Sequence, residues 1–353
     1  MKTYRAAVIG LTGIGMSPAT TLADPVFGLQ MPHSHVAAYA ASTRISVVAV
    51  CDLIPALLDK FRQTWGATFP EAATYTDYHE MLANQEVDLL SVVTSDHRHA
   101  QIVVDGVEAG VKGIFCEKPI ATTIADADRM IAACKARGVP LLIDHTTRWL
   151  PQYAQARNLI RSGAIGQIRR VMVTGVGPRA MLFRNTTHVT DMLCYLVDSD
   201  PAWLTAELDD GYADYPPRYA GDGGKDPKTD PGCSAYVHFQ NGVRAFVNCS
   251  QMPMPYREWD VIGDTGRLRL GALAGEMWQQ LEDGRIVMTP LRSPNPSRTD
   301  MLAAVEELVD LIEHGGTGSS SGEDGRRTLS ILLGILQSNA SGGGKITFPI
   351  QDR

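Results

Sequence analysis

The sequence has no block of basic residues; the nearest approaches are the pairs Arg169-Arg170 and Arg326-Arg327. With 32 Lys and Arg against 39 Asp and Glu, the net charge is -7. A surface of that sign repels a phosphate backbone, so no nucleic-acid partner is expected. Also missing is any apolar run of the roughly 18 residues that a membrane span needs. Met1-Lys2-Thr3-Tyr4-Arg5 leads straight into a strand and a glycine turn without an apolar leader. No membrane association is expected, and the cytoplasm is the expected compartment. None of the six cysteines (Cys51, Cys116, Cys134, Cys194, Cys233, Cys249) forms a C-x-x-C pair. Free buried thiols in a reducing compartment suit a chain of this length better than a disulfide framework. Internal repeats are absent too.

What is present is an ordinary globular composition, 44% hydrophobic and 20% charged over 353 residues, a length that points to two domains. The first part alternates short apolar, β-branched runs with amphipathic segments. Strands are expected at 6–9, 45–51, 87–93, 113–116 and 139–143, with helices between them. Runs that are apolar on both faces belong to parallel strands covered on both sides, so an α/β, doubly wound parallel sheet of Rossmann type is expected.

Beyond residue 145 the pattern changes. A helix is expected at 152–161, then alternating strands at 168–174, 202–208, 235–239, 243–250, 259–262 and 267–270. Asn241-Gly242, Asp264-Thr265-Gly266 and Asp283-Gly284 mark turns. This is a C-terminal α/β domain with an open, largely antiparallel sheet. Two closing helices are expected at 300–312 and 323–338, joined by a Gly/Ser-rich loop at 315–322 expected to be mobile. The domain limits are accordingly expected at 1–145 and 146–353, with the last helices packing back on the first domain.

Four features carry chemistry. Gly10-Leu11-Thr12-Gly13-Ile14-Gly15 follows the first strand, where glycine allows a tight turn and close approach of a pyrophosphate; Thr12 stands at the usual middle glycine. Asp52 ends the second strand, where a carboxylate accepts ribose hydroxyls and repels a 2′-phosphate, favouring NAD over NADP. It would equally serve as a helix cap. Cys116-Glu117-Lys118-Pro119 follows the fourth strand and can place an ammonium where it polarises a substrate oxygen, although a surface Lys-Pro turn reads the same way. His188 can exchange a hydroxyl proton near neutral pH and shares a helix face with Asp191; a buried core histidine is the plainer alternative.

The stretch 16–32, rich in proline, reads as an inserted loop bordering cofactor or substrate. The insertion 209–231, rich in Asp, Gly, Pro and Tyr, reads as a solvated loop. His33-Ser34-His35 and His97-Arg98-His99 lack a third ligand or carboxylate at metal spacing, so no metal is expected and both are read as helix starts beside a cleft.

Together these stretches, with Val92-Val93-Thr94-Ser95-Asp96-His97, Arg148-Trp149 with Tyr153, Gly163-Ala164-Ile165-Gly166, Thr187-His188-Val189-Thr190-Asp191 and Ser321-Gly322-Glu323-Asp324-Gly325-Arg326, resemble the Gfo/Idh/MocA oxidoreductase family over nearly the whole chain. The resemblance implies that Lys118 and His188 face the nicotinamide. It implies that Thr94, Ser95, His97 and Glu117 line the cofactor with Gly10, Thr12, Gly13, Ile14, Gly15 and Asp52. Arg148 and Trp149 would lie toward the nicotinamide end, and association through the open sheet as a homodimer or homotetramer would follow. Many family dehydrogenases carry an aspartate four residues before the histidine; here that position is Arg184, followed by Asn185. A carboxylate partner for the imidazole is missing there, and Asp191 is the available substitute. An arginine instead favours an anionic or strongly hydrogen-bonding substrate group. Tyr153, Arg184, Asn185 and Asp191 complete the candidate substrate set.

The expected function is NAD-dependent hydride transfer at a hydroxyl-bearing carbon of a sugar, polyol or sugar derivative. Two other readings stay open: glycoside cleavage through transient oxidation, and a cofactor-binding regulator without turnover.

Overall fold

The computed structural model describes residues 3–18, 32–178, 181–221, 229–271, 274–291 and 300–350. The chain clusters into two compact units, the first comprising Met1–Ala121, Ala125–Trp149 and Pro296–Glu323, the second Thr122–Ile124, Leu150–Asn295 and Asp324–Arg353.

The first unit is built on six parallel strands in the order β3-β2-β1-β4-β5-β6. They are β1 (Tyr4–Ile9), β2 (Ile45–Cys51), β3 (Ala73–Tyr75), β4 (Leu89–Val92), β5 (Gly113–Cys116) and β6 (Leu141–Ile143). Between them run α1 (His35–Ala41), α2 (Pro55–Trp65), α3 (Tyr78–Asn84), α4 (His99–Glu108) and α5 (Ile124–Arg137). Residues of β1, β4 and β5 are almost wholly buried. That burial explains why these runs are apolar on both faces instead of alternating. The order reverses between β1 and β4, the place where a doubly wound sheet leaves a crevice at its carboxyl edge. The short edge strand β3 carries no apolar run, and sequence reading passed over it.

Helix α8 (Asp300–His314), distant in sequence, belongs to this unit. Its Met301, Ala304, Val305, Leu308 and Val309 are buried in one cluster with Tyr4, Val36, Ala37 and Ala38. Gly113 makes that packing close: a Cβ there would lie 3.0 Å from Leu308 Cδ1. On the rim, Arg44 reaches Glu306, Asp310 and Glu313 of α8, at 3.1, 2.6 and 2.7 Å.

The Gly/Ser-rich stretch before the last helix is not the loose linker its composition implied. Ser320 accepts the Ile143 N–H at 2.8 Å, Ser321 bridges Leu142, and a Cβ on Gly318 would lie 2.2 Å from Leu142 Cδ2. Its small residues are there to lie against β6.

The second unit holds a nine-stranded sheet in the order β14-β13-β12-β11-β7-β10-β9-β8-β15. The strands are β7 (Ile168–Gly177), β8 (Pro201–Leu208), β9 (Cys233–Phe239), β10 (Arg244–Gln251), β11 (Tyr256–Gly263), β12 (Gly266–Gly271), β13 (Gly275–Gln280), β14 (Ile286–Leu291) and β15 (Ile346–Thr347). Only β7 and β10 pair in parallel; the other ladders are antiparallel. Asn241-Gly242 closes the β9–β10 hairpin, with Gly242 at φ +86° and the Asn241 side chain accepting the Val243 N–H. Helices α6 (Pro151–Arg161), α7 (Thr187–Val197) and α9 (Gly322–Ala340) complete this part of the chain. Val171, Val173, Ala245, Val247, Cys249, Trp259 and Val261 are buried on the inner side, and Trp259 Nε1 donates to the Val189 carbonyl of α7. The outer side leaves Met172, Phe246, Trp278 and Met288 exposed. Strands β13, β14 and β15 escaped sequence reading because their apolar alternation is short or diluted by polar residues.

Truncating Leu308 removes a fully buried side chain wedged over Gly113. Leu308→Ala is expected to cost about 3 kcal/mol, read as a lower midpoint in denaturant unfolding with an unchanged slope; a loss within error would show that α8 does not anchor the first unit.

Candidate active site

The parallel ladder sets the first half of the site. Gly10 N–H donates to Cys51 O at 2.9 Å, Val93 N–H to Ile9 O at 2.8 Å, Glu117 N–H to Val92 O at 2.9 Å, and Asp144 N–H to Cys116 O at 2.8 Å. Residues following β1, β2, β4, β5 and β6 therefore stand side by side along the carboxyl edge of one sheet.

The glycine turn fits a close backbone approach. Gly10 has φ +97°, and a Cβ there would lie 2.2 Å from the Val93 carbonyl oxygen. A Cβ on Gly15 would lie 2.3 Å from the Gly10 oxygen, so no side chain is tolerated at either position without a shift. Gly13, at φ +41°, faces open space. Thr12 is tolerated at the middle position because its backbone is extended (φ -73°, ψ 145°) and its side chain is exposed; Ile14 is exposed as well. A cavity of about 190 Å³ lies against this turn, lined by Thr12, Gly13 and Met16 together with Leu57, Lys60 and Thr64 of α2.

Asp52 is tied to the same turn. Its Oδ2 accepts the Leu11 N–H at 2.8 Å and its Oδ1 accepts the Ile54 N–H at 2.9 Å. The carboxylate thus acts as the local cap and still holds lone pairs for hydroxyl donors. The two roles foreseen for Asp52 are compatible. Thr94, Ser95 and His97 follow β4 and are half-buried or exposed. His99, buried behind them, has one ring nitrogen 3.2 Å from the Thr94 carbonyl and the other 3.1 Å from the Pro119 carbonyl. It couples the loop after β4 to the Lys118-Pro119 turn, whose peptide bond is cis.

Behind Lys118 lies a buried set that sequence spacing had not disclosed. His35 Nε2 is 3.3 Å from Glu117 Oε1 and 3.7 Å from Asp144 Oδ2, while its Nδ1 is 2.8 Å from Ser91 Oγ. Tyr39 also reaches Ser91, at 2.6 Å. The imidazole and the two carboxylates place ligand-type atoms within 4.8 Å of one another. The acids come from the ends of two other strands, so the local His33-Ser34-His35 pattern could not reveal them. Burial alone would push both carboxyls up. For Glu117, the hydrogen bond from His35 and the charge of Lys118 outweigh burial and hold it down at about 2. For Asp144, burial and the neighbouring Glu117 charge act together and raise it well above the carboxylate range. The arrangement is one carboxylate and one carboxylic acid sharing a hydrogen bond beneath Lys118.

Arg148 and Trp149 occupy a short turn after β6. Arg148 is buried and donates through Nη1 to the Ser319 carbonyl at 2.8 Å; Trp149 Nε1 donates to Glu307 of α8 and its ring meets Phe115 edge-on. The stretch 16–32 falls mostly outside the described residues, though Ser34, just beyond it, caps α1 by accepting the Ala37 N–H at 3.1 Å.

In the second unit, a tight turn over Leu182–Thr186 leads into α7. Asp230 clamps it: Oδ1 accepts the Phe183 N–H at 2.6 Å and Oδ2 the Arg184 N–H at 2.9 Å. Phe183 stacks on Tyr219 at 3.6 Å. The described part of the insertion over 209–231 therefore does more than meet solvent, since it supplies both Asp230 and Tyr219. This turn brings Arg184, Asn185 and half-buried His188 together. Asp191 is fully buried and accepts from Thr328 Oγ1 of α9 at 3.2 Å. Tyr153 is buried, donates its hydroxyl to the Gly271 carbonyl at 3.1 Å and packs edge-on against Trp259. Asp230 and Arg257 were missed by sequence reading; one sits in an insertion and the other in a strand, and neither has a spacing signal.

A doubly wound sheet with a glycine turn and a strand-end acid at its switch point defines a Rossmann-class dinucleotide domain. Residues 5–145 match an oxidoreductase family with an NAD-binding Rossmann fold, Gfo/Idh/MocA, and residues 153–269 match that family's C-terminal domain. The chain belongs to the Gfo/Idh/MocA family. It is 30% identical over 214 residues to the inositol 2-dehydrogenase of Salmonella paratyphi B, a match spanning 56% of each chain, so only about half the length of that relative is matched. It is 26% identical over 322 residues to the D-apiose dehydrogenase of Paraburkholderia graminis, covering 85% of this chain and 82% of the other. A levoglucosan dehydrogenase structure in complex with NADH and L-sorbose shares the fold with TM-score 0.79 at 20% identity, covering 99% and 100% of the two chains. Among the described residues, no helix is long and apolar enough to cross a membrane.

The paired carboxyls have opposite pH signatures. The folded chain holds the Asp144 proton more tightly than the unfolded chain, so the stability it confers is present at low pH and lost as pH rises through the folded-state value. The Glu117 contribution is present above the ordinary carboxylate range and lost only as pH falls toward about 2. Asp144→Asn, which keeps the donor, is expected to match the wild type at mildly acidic pH and exceed it in alkali. Glu117→Gln is expected to cost about 3 kcal/mol at neutral pH. Denaturant unfolding across pH checks both, and an Asp144→Asn protein weakened equally at every pH would refute the shared proton.

Proposed function

We propose that the protein is an NAD-dependent dehydrogenase acting on a CH–OH group of a sugar, polyol or sugar derivative. The observation that carries this reading is the convergence of the glycine turn, Asp52 and the Glu117-Lys118 pair along one carboxyl edge, in a chain of a family whose relatives include inositol and D-apiose dehydrogenases.

Gly10, Thr12, Gly13, Ile14 and Gly15 bind the pyrophosphate through backbone, and Asp52 accepts the ribose hydroxyls; its charge opposes a 2′-phosphate and so selects NAD over NADP. Thr94, Ser95 and His97 line the rest of the cofactor, while Glu117, foreseen beside them, is buried against His35 and supports Lys118 from behind. NAD, when bound, supplies the hydride acceptor or donor. Lys118 donates a hydrogen bond to the reacting oxygen and favours its alkoxide character. His188 takes the hydroxyl proton in oxidation and returns it in reduction. Position 184 holds Arg184 instead of an aspartate, so that position offers His188 no carboxylate. Arg148, Trp149, Tyr153, Arg184, Asn185 and Asp191 shape the substrate side, the buried ones by holding their neighbours in place.

The domain limits 1–145 and 146–353 express this division of labour, with α8 serving the first part. The exposed Met172, Phe246, Trp278 and Met288 favour a homodimer or homotetramer through the open sheet face. Six buried, unbridged thiols suit the cytoplasm.

Incubation with NAD and a panel of sugars and polyols, followed at the NADH absorbance band, tests the reading. Turnover is expected, with Lys118→Met and His188→Asn each lowering kcat by about 100-fold or more. Asp52→Ala is expected to raise the KM for NAD by about 10-fold or more and narrow the preference over NADP. Product formation without net NADH would point to glycoside cleavage, and NADH binding without turnover on any substrate to a regulator.

A further inference from the structure

Strand β11 alternates its side chains between the two faces of the sheet. Glu258 and Asp260 lie on the outer face and pair with Arg269 and Arg267 of β12, at 2.6 and 2.5 Å. Arg257 lies on the opposite face with buried Trp259 and Val261, toward α7. The register sets it opposite Gly175 of β7, where a Cβ would lie 2.9 Å from Val189 Cγ2 and 3.0 Å from Cys249 Sγ. It is half-buried, and its one described side-chain hydrogen bond is a long one: Nη2 to Asn185 Oδ1 at 3.4 Å.

No carboxylate among the described residues lies within ion-pair distance of this guanidinium. Its charge-sensitive neighbours are the Tyr153 hydroxyl and the Cys249 thiol. Both are kept neutral by burial, which raises Tyr153 and pushes Cys249 up to about 11. Burial also lowers Arg257 from the usual arginine value. Other arginines of the same unit are differently placed. Arg157 meets Asp198 at 3.0 Å, Arg169 meets Asp264 at 2.6 Å, and Arg327 meets Asp200 and Asp324 at 2.6 and 3.0 Å.

A half-buried guanidinium whose described side-chain hydrogen bond is a long one keeps donors of its five-donor fork for a further acceptor. What completes it is a planar anion that accepts two parallel N–H bonds. The fork sits against Asn185, three residues before His188 on the turn entering α7.

We propose that Arg257 is a substrate-binding residue that recognises a carboxylate, so that the substrate class is a sugar acid of the uronate or aldonate type and not a neutral sugar or polyol. This rests on the dehydrogenase reading above and narrows its substrate. A carboxylate carries one charge and matches one guanidinium.

The test pairs each acid with its neutral parent: D-glucuronate with D-glucose, and D-gluconate with D-sorbitol. With the full chain and NAD, kcat/KM is expected to favour the acid at least 10-fold in one pair. In Arg257→Met that ratio is expected to fall by about 100-fold, chiefly through KM, and Arg257→Lys is expected to restore part of it. NADH fluorescence titration reports whether each variant is folded. Calorimetric binding of D-glucuronate and D-glucose to the NADH-loaded wild type gives the same comparison without a variant. Equal affinity for acid and parent, a preference for D-glucose 6-phosphate over D-glucuronate, or an unchanged ratio in Arg257→Met would overturn the proposal. Turnover of polyols without any acid preference would remove this inference and leave the dehydrogenase reading standing. Tight acid binding without turnover of any compound would do the reverse.

Discussion

Hydrogen bonding between parallel strands is the constraint on which the first half of the site depends. A parallel ladder aligns strand ends that the sequence keeps far apart, and all of them emerge at the same edge. Gly10, Asp52, Val93, Glu117 and Asp144 are linked to their neighbours by single backbone bonds of 2.8–3.1 Å. Each lies one or two positions beyond an apolar run that is buried on both faces. The functional groups are polar because the core ends there, and they are close because the ladder is in register.

The same edge shows how burial and charge divide the labour. Asp52 is half-exposed and accepts backbone N–H bonds on both oxygens, which holds its carboxyl group where hydroxyl groups can meet it. Glu117 and Asp144 are sealed in together with His35, and their proximity in a dry environment drives their proton affinities apart. The result is a net charge beneath Lys118 set by a shared proton instead of by two free anions. Opposite environments thus give three strand-end acids three distinct duties.

In the second unit, side chains from distant segments fix the backbone and side chains around the turn before α7. Asp230 takes two successive N–H groups of the turn before α7, Asp191 is locked to Thr328, and Tyr153 is fixed between Gly271 and Trp259. Arg184, where the family resemblance implied an aspartate, sits on a turn whose backbone N–H groups are held by Asp230, an acid from an insertion.

Read alone, the sequence determined which segments are strands of a covered parallel sheet, where the glycine turn lies, and that Asp52, Lys118 and His188 stand at element ends. Those facts follow from periodicity, glycine placement and apolar run length, all of which are local. It also carried the family resemblance, because the motifs that express it are contiguous. Tertiary structure alone decided that His35, Glu117 and Asp144 form one buried set and that Gly318 to Ser321 lie against β6. It likewise decided that α8 serves the first unit, and that Arg257 is half-buried with no acid within ion-pair distance among the described residues. Each of these depends on which distant side chain fills the space opposite. Long-range packing and desolvation settle that, and no spacing along a chain records it.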